Sequence, residues 1–350
     1  MTGRERVMDS LAGKETDRPP FWLRFDHFYR ERVAKTKNIE PEKLIDYYGC
    51  DAAQVTVAYK PRPRISENEY LDLYGNRITT VHYDGFTDAA VTGPALAEIN
   101  DANEVTEKHF PDENDVDVPR CAEAAKSARE TGRAVYGGMW ASMFTGTRNM
   151  LGEVRYLTSM YENPRLIKKV IELFTDSCLK INKAYMDACG DYIDIYYFGS
   201  DFATQNSLFI SPEMFKEFFA PHMKRVAAQA KSYRKPVMYH CCGTVVKLLD
   251  MFIECGVEII DPVQVSALGM SVGEVAAKYK GRVAFHGGVS SQVTFTTGTP
   301  EMIREETVRA IKTLGPSRFI VAPDHELIGD VPVENIDAFV DAVKNYNSYK

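Results

Sequence analysis

The feature that most constrains the fold is a recurrence: eight short apolar runs of strand character, each followed by a helical pattern. The runs are 21–26 (FWLRFD), 52–59 (AAQVTVAY), 134–140 (AVYGGMW), 192–198 (YIDIYYF), 237–240 (VMYH), 258–261 (EIID), 282–285 (RVAF) and 318–321 (RFIV). Strands that alternate with helices are joined by crossovers, and crossovers make a parallel sheet. Eight of them suit closure into a (β/α)₈ TIM barrel, α/β in class. The intervening stretches carry helix punctuation. Ser211-Pro212 and Thr299-Pro300 each place a capping hydroxyl before a proline at the first helical position. The first of these predicts one helix through EMFKEFFAPHMKRVAAQAKSY. Asn163-Pro164 opens a long helix that Gly190 ends, and Gly256 stops a helix over TVVKLLDMFIEC.

A length of 350 residues falls within the range of one such barrel, so 1–350 reads as a single domain. The largest irregularity is 60–118, between the second and third strands. It contains PRPR and then LYGNRITTVHYDG, which predicts a hairpin inserted at the barrel mouth. Hydrophobic residues at 45% and charged residues at 26% leave enough apolar surface for a large core. A net charge of −7 without a polybasic run gives no basis for nucleic acid binding. The opening MTGRERVMDSLAGKETDRPP lacks the apolar centre of a signal peptide, and no stretch reaches the ~20 apolar residues of a membrane span. The expectation is a cytoplasmic protein with no membrane contact. Its seven cysteines read as thiols rather than a disulfide framework.

Barrel enzymes place their chemistry at the carboxyl ends of the strands. That rule nominates Trp140, Ser200-Asp201, the 240–243 tetrapeptide HCCG, Asp261-Pro262, His286-Gly287-Gly288 and Asp324-His325-Glu326. His240 and Cys242 stand two apart at a strand end, so both side chains point to one face while Cys241 points to the other. Imidazole nitrogen and thiolate sulfur are zinc ligands; from the spacing alone a buried histidine satisfied by hydrogen bonds is the stronger alternative, and the place at a barrel mouth favours the metal. A third ligand must come from another strand, with His325 the first candidate and His286 the second; substrate hydrogen bonding is the alternative for both. Asp201 and Glu326 offer hard oxygen atoms that either complete the shell or act as acid and base. Gly287-Gly288 reads as a close approach of a ligand or as a tight turn. Phe21, Trp22, Phe25, Phe28 and Tyr29 read as a pocket wall or as core, and so do Tyr192, Tyr196, Tyr197 and Phe198. Asp194 lies between tyrosines in a strand and points into the barrel, where a carboxylate needs a partner that the sequence does not identify.

The segments FGSDFATQNSLFISPEMFKEFFAPHMKRV, MYHCCGTVVKLLDMFIECGVEIIDPVQ, GRVAFHGGVSSQ and FIVAPDHELIGDVPVENIDAF, with the opening GRERVMDSLAGKETDRPPFW, resemble the uroporphyrinogen decarboxylase superfamily in order and spacing. That superfamily contains porphyrinogen decarboxylases and corrinoid-dependent methyltransferases. The decarboxylases carry an RQAGR motif after the first strand and a catalytic aspartate beyond the second. Here those places read LRFDHFYR and AYKPRPR, so porphyrinogen decarboxylation is not what the resemblance implies. The methyltransferases bind zinc at His-x-Cys-Gly on the fifth strand, which is 240–243 here. Their thiol-methylating branch adds a cysteine near the eighth strand. This chain has APDHELIGDVP there, with His325 at about that place.

The resemblance therefore implies a methyltransferase that moves a methyl group from a small molecule, an aryl methyl ether first of all, to the cobalt of a corrinoid on a separate protein. Zinc on His240, Cys242 and His325 would activate the ether oxygen. Asp201 or Glu326 would protonate the departing phenolate. Trp140, His286, Phe25 and Trp22 would surround the substrate. The resemblance also hints at a homodimer. The alternatives are methyl transfer from a corrinoid to a thiol or tetrahydrofolate, decarboxylation of the uroporphyrinogen type or of another carboxylated substrate, and a non-enzymatic barrel that sequesters a corrinoid or tetrapyrrole.

Overall fold

The structure, a computed structural model, describes every residue except 63, 84, 85 and 350, and their side chains except those of 82, 83 and 86–88. Seven of the eight expected runs pair into one curled parallel sheet. They are β1 (Ala52–Thr56), β5 (Ala134–Gly138), β6 (Ile195–Gly199), β7 (Val237–His240), β8 (Ile259–Val263), β9 (Ala284–Val289) and β10 (Phe319–Pro323), side by side in chain order. The inserted segment supplies β2 (Glu69–Leu71), β3 (Arg77–Tyr83) and β4 (Phe86–Gly93). These form a three-stranded antiparallel sheet where a two-stranded hairpin was expected. The Asp84-Gly85 part of that expected hairpin lies outside the described residues.

The remaining run, 21–26, forms no continuous ladder. Phe21 bridges Val321 and Phe25 bridges Leu327. The Val321 N–H donates to the Pro20 carbonyl at 3.0 Å and the Asp51 N–H to the Phe21 carbonyl at 3.0 Å. The segment thus spans the gap between β10 and the chain entering β1, and closes the ring. Pro19 and Pro20 have no N–H to offer, so the pairing does not extend before Phe21.

Inside the ring, alternate residues face the axis: Ile195 and Tyr197 on β6, Met238 on β7, Ile259 on β8, Ala284 on β9 and Ile320 on β10. Helix α1 (Gly3–Leu11) seals the amino-terminal end and adds Val7 to this core. The rest of the apolar residues pack between the strands and the outer helices.

Several boundaries differ from expectation for identifiable reasons. Asp194 precedes β6 and sits at the sealed end instead of in the barrel interior. It accepts from Arg4 Nε at 2.9 Å, Arg129 Nη1 at 3.0 Å and the Val135 N–H at 2.9 Å, which supply the partners a buried carboxylate needs. The helix expected over 213–233 is broken into Pro212–Phe218 and Ala220–Ser232, because Pro221 cannot continue the hydrogen-bond ladder. The helix over 244–255 shrinks to Leu249–Glu254, since the preceding residues turn and the Thr244 hydroxyl donates to the Leu268 carbonyl at 2.5 Å. The long helix matches expectation. It runs Pro164–Cys189, with the Asn163 side chain accepting from the Leu166 N–H and Gly190 at its end. Among the described residues, no helix is long and apolar enough to cross a membrane.

Candidate active site

The inward alternation of the strands continues upward to polar residues. Two positions beyond Met238, Ile259 and Ala284 stand His240, Asp261 and His286. His240 and Asp261 are paired in register on β7 and β8, and His286 follows on β9. The buried Asp261 carboxylate takes both histidines. His240 Nδ1 lies 2.6 Å from Oδ2 and His286 Nδ1 lies 2.5 Å from Oδ1. The Tyr197 hydroxyl donates to Oδ2 at 2.5 Å. An acceptor-only carboxylate at both Nδ1 atoms requires that each donate N–H there, which leaves Nε2 as the position where a metal would take the place of any second proton.

His240 Nε2 is 3.3 Å from Cys242 Sγ and 3.8 Å from Asp201 Oδ1. The donor atoms of Asp201, His240 and Cys242 all lie within 4.8 Å of one another. Two ligands of one tetrahedral zinc stand roughly 3.5 Å apart, given bonds of about 2.0–2.3 Å, so the observed separations fit that ion. The nitrogen, sulfur and oxygen donor set fits it as well, and three protein ligands leave a position open.

The loop is held in this shape by its own backbone. The Cys242 N–H donates to Asp201 Oδ1 at 2.9 Å, and the Gly243 N–H donates to Gln264 Oε1 at 2.5 Å. Gly243 has φ +91°, and a Cβ there would meet the Thr204 carbonyl oxygen at 2.5 Å, so the position requires glycine. Cys241 turns the other way, as the alternation predicts, and its sulfur accepts the Phe202 N–H at 3.2 Å.

Electrostatics follow from burial and pairing. Burial opposes ionisation of Asp261, but His286 and His240 outweigh it and hold the carboxyl well below its usual range. Burial likewise opposes charge on His240; Cys242 and Asp261 prevail and push it up to about 10. His286 goes the other way, because burial outweighs Asp261 there.

His325 is not brought into the donor cluster. Its side chain is exposed and its Nδ1 lies 3.2 Å from the Glu326 carbonyl oxygen. The cause is Asp324, which leaves β10 pointing inward and is tied down by the Ser291 N–H and hydroxyl at 2.8 and 2.6 Å and the Val265 N–H at 3.1 Å. The next residue therefore faces outward, and Asp201 stands in the cluster instead. Trp140 lies at the rim, its ring 5.6 Å from that of His240 and 5.2 Å from that of Tyr197. Trp22 lies in the barrel core, 5.4 Å from the His286 ring. Phe25 turns outward to Tyr29 and Tyr48, each ring centre 6.2 Å away. Glu326 is half-buried and lines a cavity of about 370 Å³ with Trp22, Arg24 and Phe25.

Gly287 and Gly288 are part of β9 rather than a turn. A Cβ on Gly287 would press on Pro262 Cβ and Val263 N at 3.0 Å, so the glycine serves the approach of β9 to β8. Two residues of the site went unassigned in the sequence. Arg24 Nη1 donates to the Tyr197 hydroxyl at 3.0 Å, its Nη2 is 4.0 Å from Asp261 Oδ2, and its guanidinium lies 5.0 Å over the Trp22 ring. Tyr197 itself was visible only as one aromatic among several. The available signal was parity, since Arg24 is two residues from Trp22 and Tyr197 two from Ile195.

The family profile described as Uroporphyrinogen decarboxylase (URO-D) matches residues 85–346. The chain belongs to the uroporphyrinogen decarboxylase family. Within the family it is similar to a uroporphyrinogen decarboxylase of Prochlorococcus marinus, 22% identical over 190 residues, covering 54% of this chain and 50% of the relative. A uroporphyrinogen decarboxylase of Aquifex aeolicus is 24% identical over 190 residues, covering 53% and 51%. The chain spans about half the length of the curated relatives it matches. Among solved structures, a methyltransferase from Methanosarcina mazei superposes with a TM-score of 0.74 at 19% identity, covering 99% of both chains. That likeness shows that the family member and the methyltransferase share the barrel fold.

Proposed function

We propose that this family member is a zinc-dependent methyltransferase. It takes a methyl group from a methylated small molecule, an aryl methyl ether in the first instance, and delivers it to the cobalt of a corrinoid on a separate protein. The observation that carries the reading is the convergence of Asp201, His240 and Cys242 at the carboxyl end of the barrel, with Asp261 directly behind His240.

His240 and Cys242 would hold the ion, and Asp201 would supply the third donor in the place first expected of His325. Bound zinc would supply Lewis acidity toward the ether oxygen. Asp261 keeps the Nδ1–H of His240 donated, so that Nε2 presents its lone pair. With Asp201 engaged at the cluster, Glu326 is the carboxyl group left to hand a proton to the departing phenolate. Trp140 at the rim offers a face for an aromatic ring, His286 and Trp22 lie at the barrel core below, and Phe25 and Trp22 shape the neighbouring cavity.

The test is an assay of the half-reaction. Zinc-loaded protein, a methoxylated aromatic and reduced cobalamin should yield methylcobalamin and the free phenol in equal amounts, with none after chelation. The names of the curated relatives favour a decarboxylase instead. Carbon dioxide release from a carboxylated substrate, without corrinoid and untouched by chelation, would decide for that reading.

A further inference from the structure

We propose that Tyr197 is a positioning residue which, with Arg24 behind it, sets how strongly the His240 imidazole donates to a metal ion. The inference rests on the zinc reading above and deepens it.

The geometry places two donors on one oxygen. Asp261 Oδ2 receives the Tyr197 hydroxyl at 2.5 Å and His240 Nδ1 at 2.6 Å, and the hydroxyl is 3.3 Å from that nitrogen. The negative charge of Oδ2 is therefore divided between a phenol and an imidazole. Burial, opposed by Arg24 and reinforced by Asp261, holds the phenol well above its ordinary value, so it stays a donor. Arg24 sharpens the effect. Its Nη1 donates to the phenol oxygen at 3.0 Å, and this polarises the O–H toward Asp261. The ring is fixed as well, with Trp140 edge-on at 5.2 Å and Trp22 at 6.1 Å. Packing alone would be met by phenylalanine; the hydroxyl is the part that packing does not explain.

The consequence concerns ligand strength. A carboxylate that loses one donor pulls harder on the remaining one. Without the phenol, the His240 Nδ1 proton would shift toward Asp261 and the imidazole would become a stronger donor at Nε2. Tyr197 therefore keeps His240 a moderate donor and leaves a bound ion electron-poor, which is the condition a Lewis acid needs.

Tyr197→Phe in the cobalt(II)-substituted protein tests this without relying on turnover. The ligand-field bands should move to higher energy, zinc should leave to a chelator no faster than from the parent, and turnover should fall about tenfold with KM nearly unchanged. Arg24→Gln, which keeps the hydroxyl and removes the polarising charge, should move the bands the same way by less, and it serves if Tyr197→Phe does not fold. Unmoved bands in whichever variant folds would overturn the proposal. So would zinc loss that accelerates in step with a lower Tm, since that is what a packing role predicts. A parent protein that binds no metal would overturn the zinc reading itself, a result separate from either of these.

Discussion

Cys242→Ala should leave the protein almost free of zinc, at less than about 0.1 ion per chain where the parent holds about one. Cys242 is the single sulfur among the three clustered donors. A site reduced to His240 and Asp201 keeps two of the three protein ligands that catalytic zinc needs. Turnover should fall by about 10³-fold or more, because several kcal/mol of Lewis-acid stabilisation is lost with the ion and each ~1.4 kcal/mol is worth tenfold. The neighbouring cysteine is an internal control. Cys241 is buried and faces the Phe202 N–H, so Cys241→Ala should keep its zinc. Metal analysis after gel filtration reads both variants. A zinc content that survives Cys242→Ala, or that depends on Cys241, would contradict the assignment.

Asp261→Asn is expected to weaken zinc binding by about 10–100-fold while leaving all three donors in place. The native carboxylate accepts on both oxygens, Oδ2 from Tyr197 and His240 and Oδ1 from His286. An asparagine keeps one acceptor oxygen and replaces the other by an NH₂ that only donates. At least one of the three donors then faces a donor. If the conflict falls on His240, its proton moves to Nε2 and blocks the metal-binding lone pair. If it falls on His286, a histidine that is itself buried must turn or change tautomer. Competition with a chromophoric chelator measures the affinity. Unchanged zinc affinity in a variant whose His240 proton is found on Nε2 by nitrogen NMR would mean that His240 does not need its tautomer held by the shared carboxylate.

The legible part of this site is the part governed by strand parity. His240 and Cys242 share a face because they are two apart, and the same rule sends Cys241 away. The capping signals at Asn163, Ser211 and Thr299 are local as well, and each caps its helix in the structure. What escaped the sequence depends on pairing between strands. Asp261 was nominated by its position at a strand end, but that it serves two histidines follows from the register of β7, β8 and β9. His325 failed as a ligand because parity counted from the inward Ile320 turns Asp324 in and His325 out, and the bonds of Asp324 to two neighbouring loops hold that arrangement. The first run is apolar enough to read as a full strand, yet in the structure it makes two separate bridges, at Phe21 and Phe25.

Zinc K-edge absorption spectroscopy of the purified protein reads the ligands of a zinc ion on His240 and Cys242 without any assay. About one zinc per chain is expected, with one sulfur neighbour at about 2.3 Å and the remaining neighbours nitrogen or oxygen at about 2.0–2.2 Å. A metal-replete protein whose zinc shows no sulfur neighbour, or that retains no zinc at all, would contradict the zinc assignment.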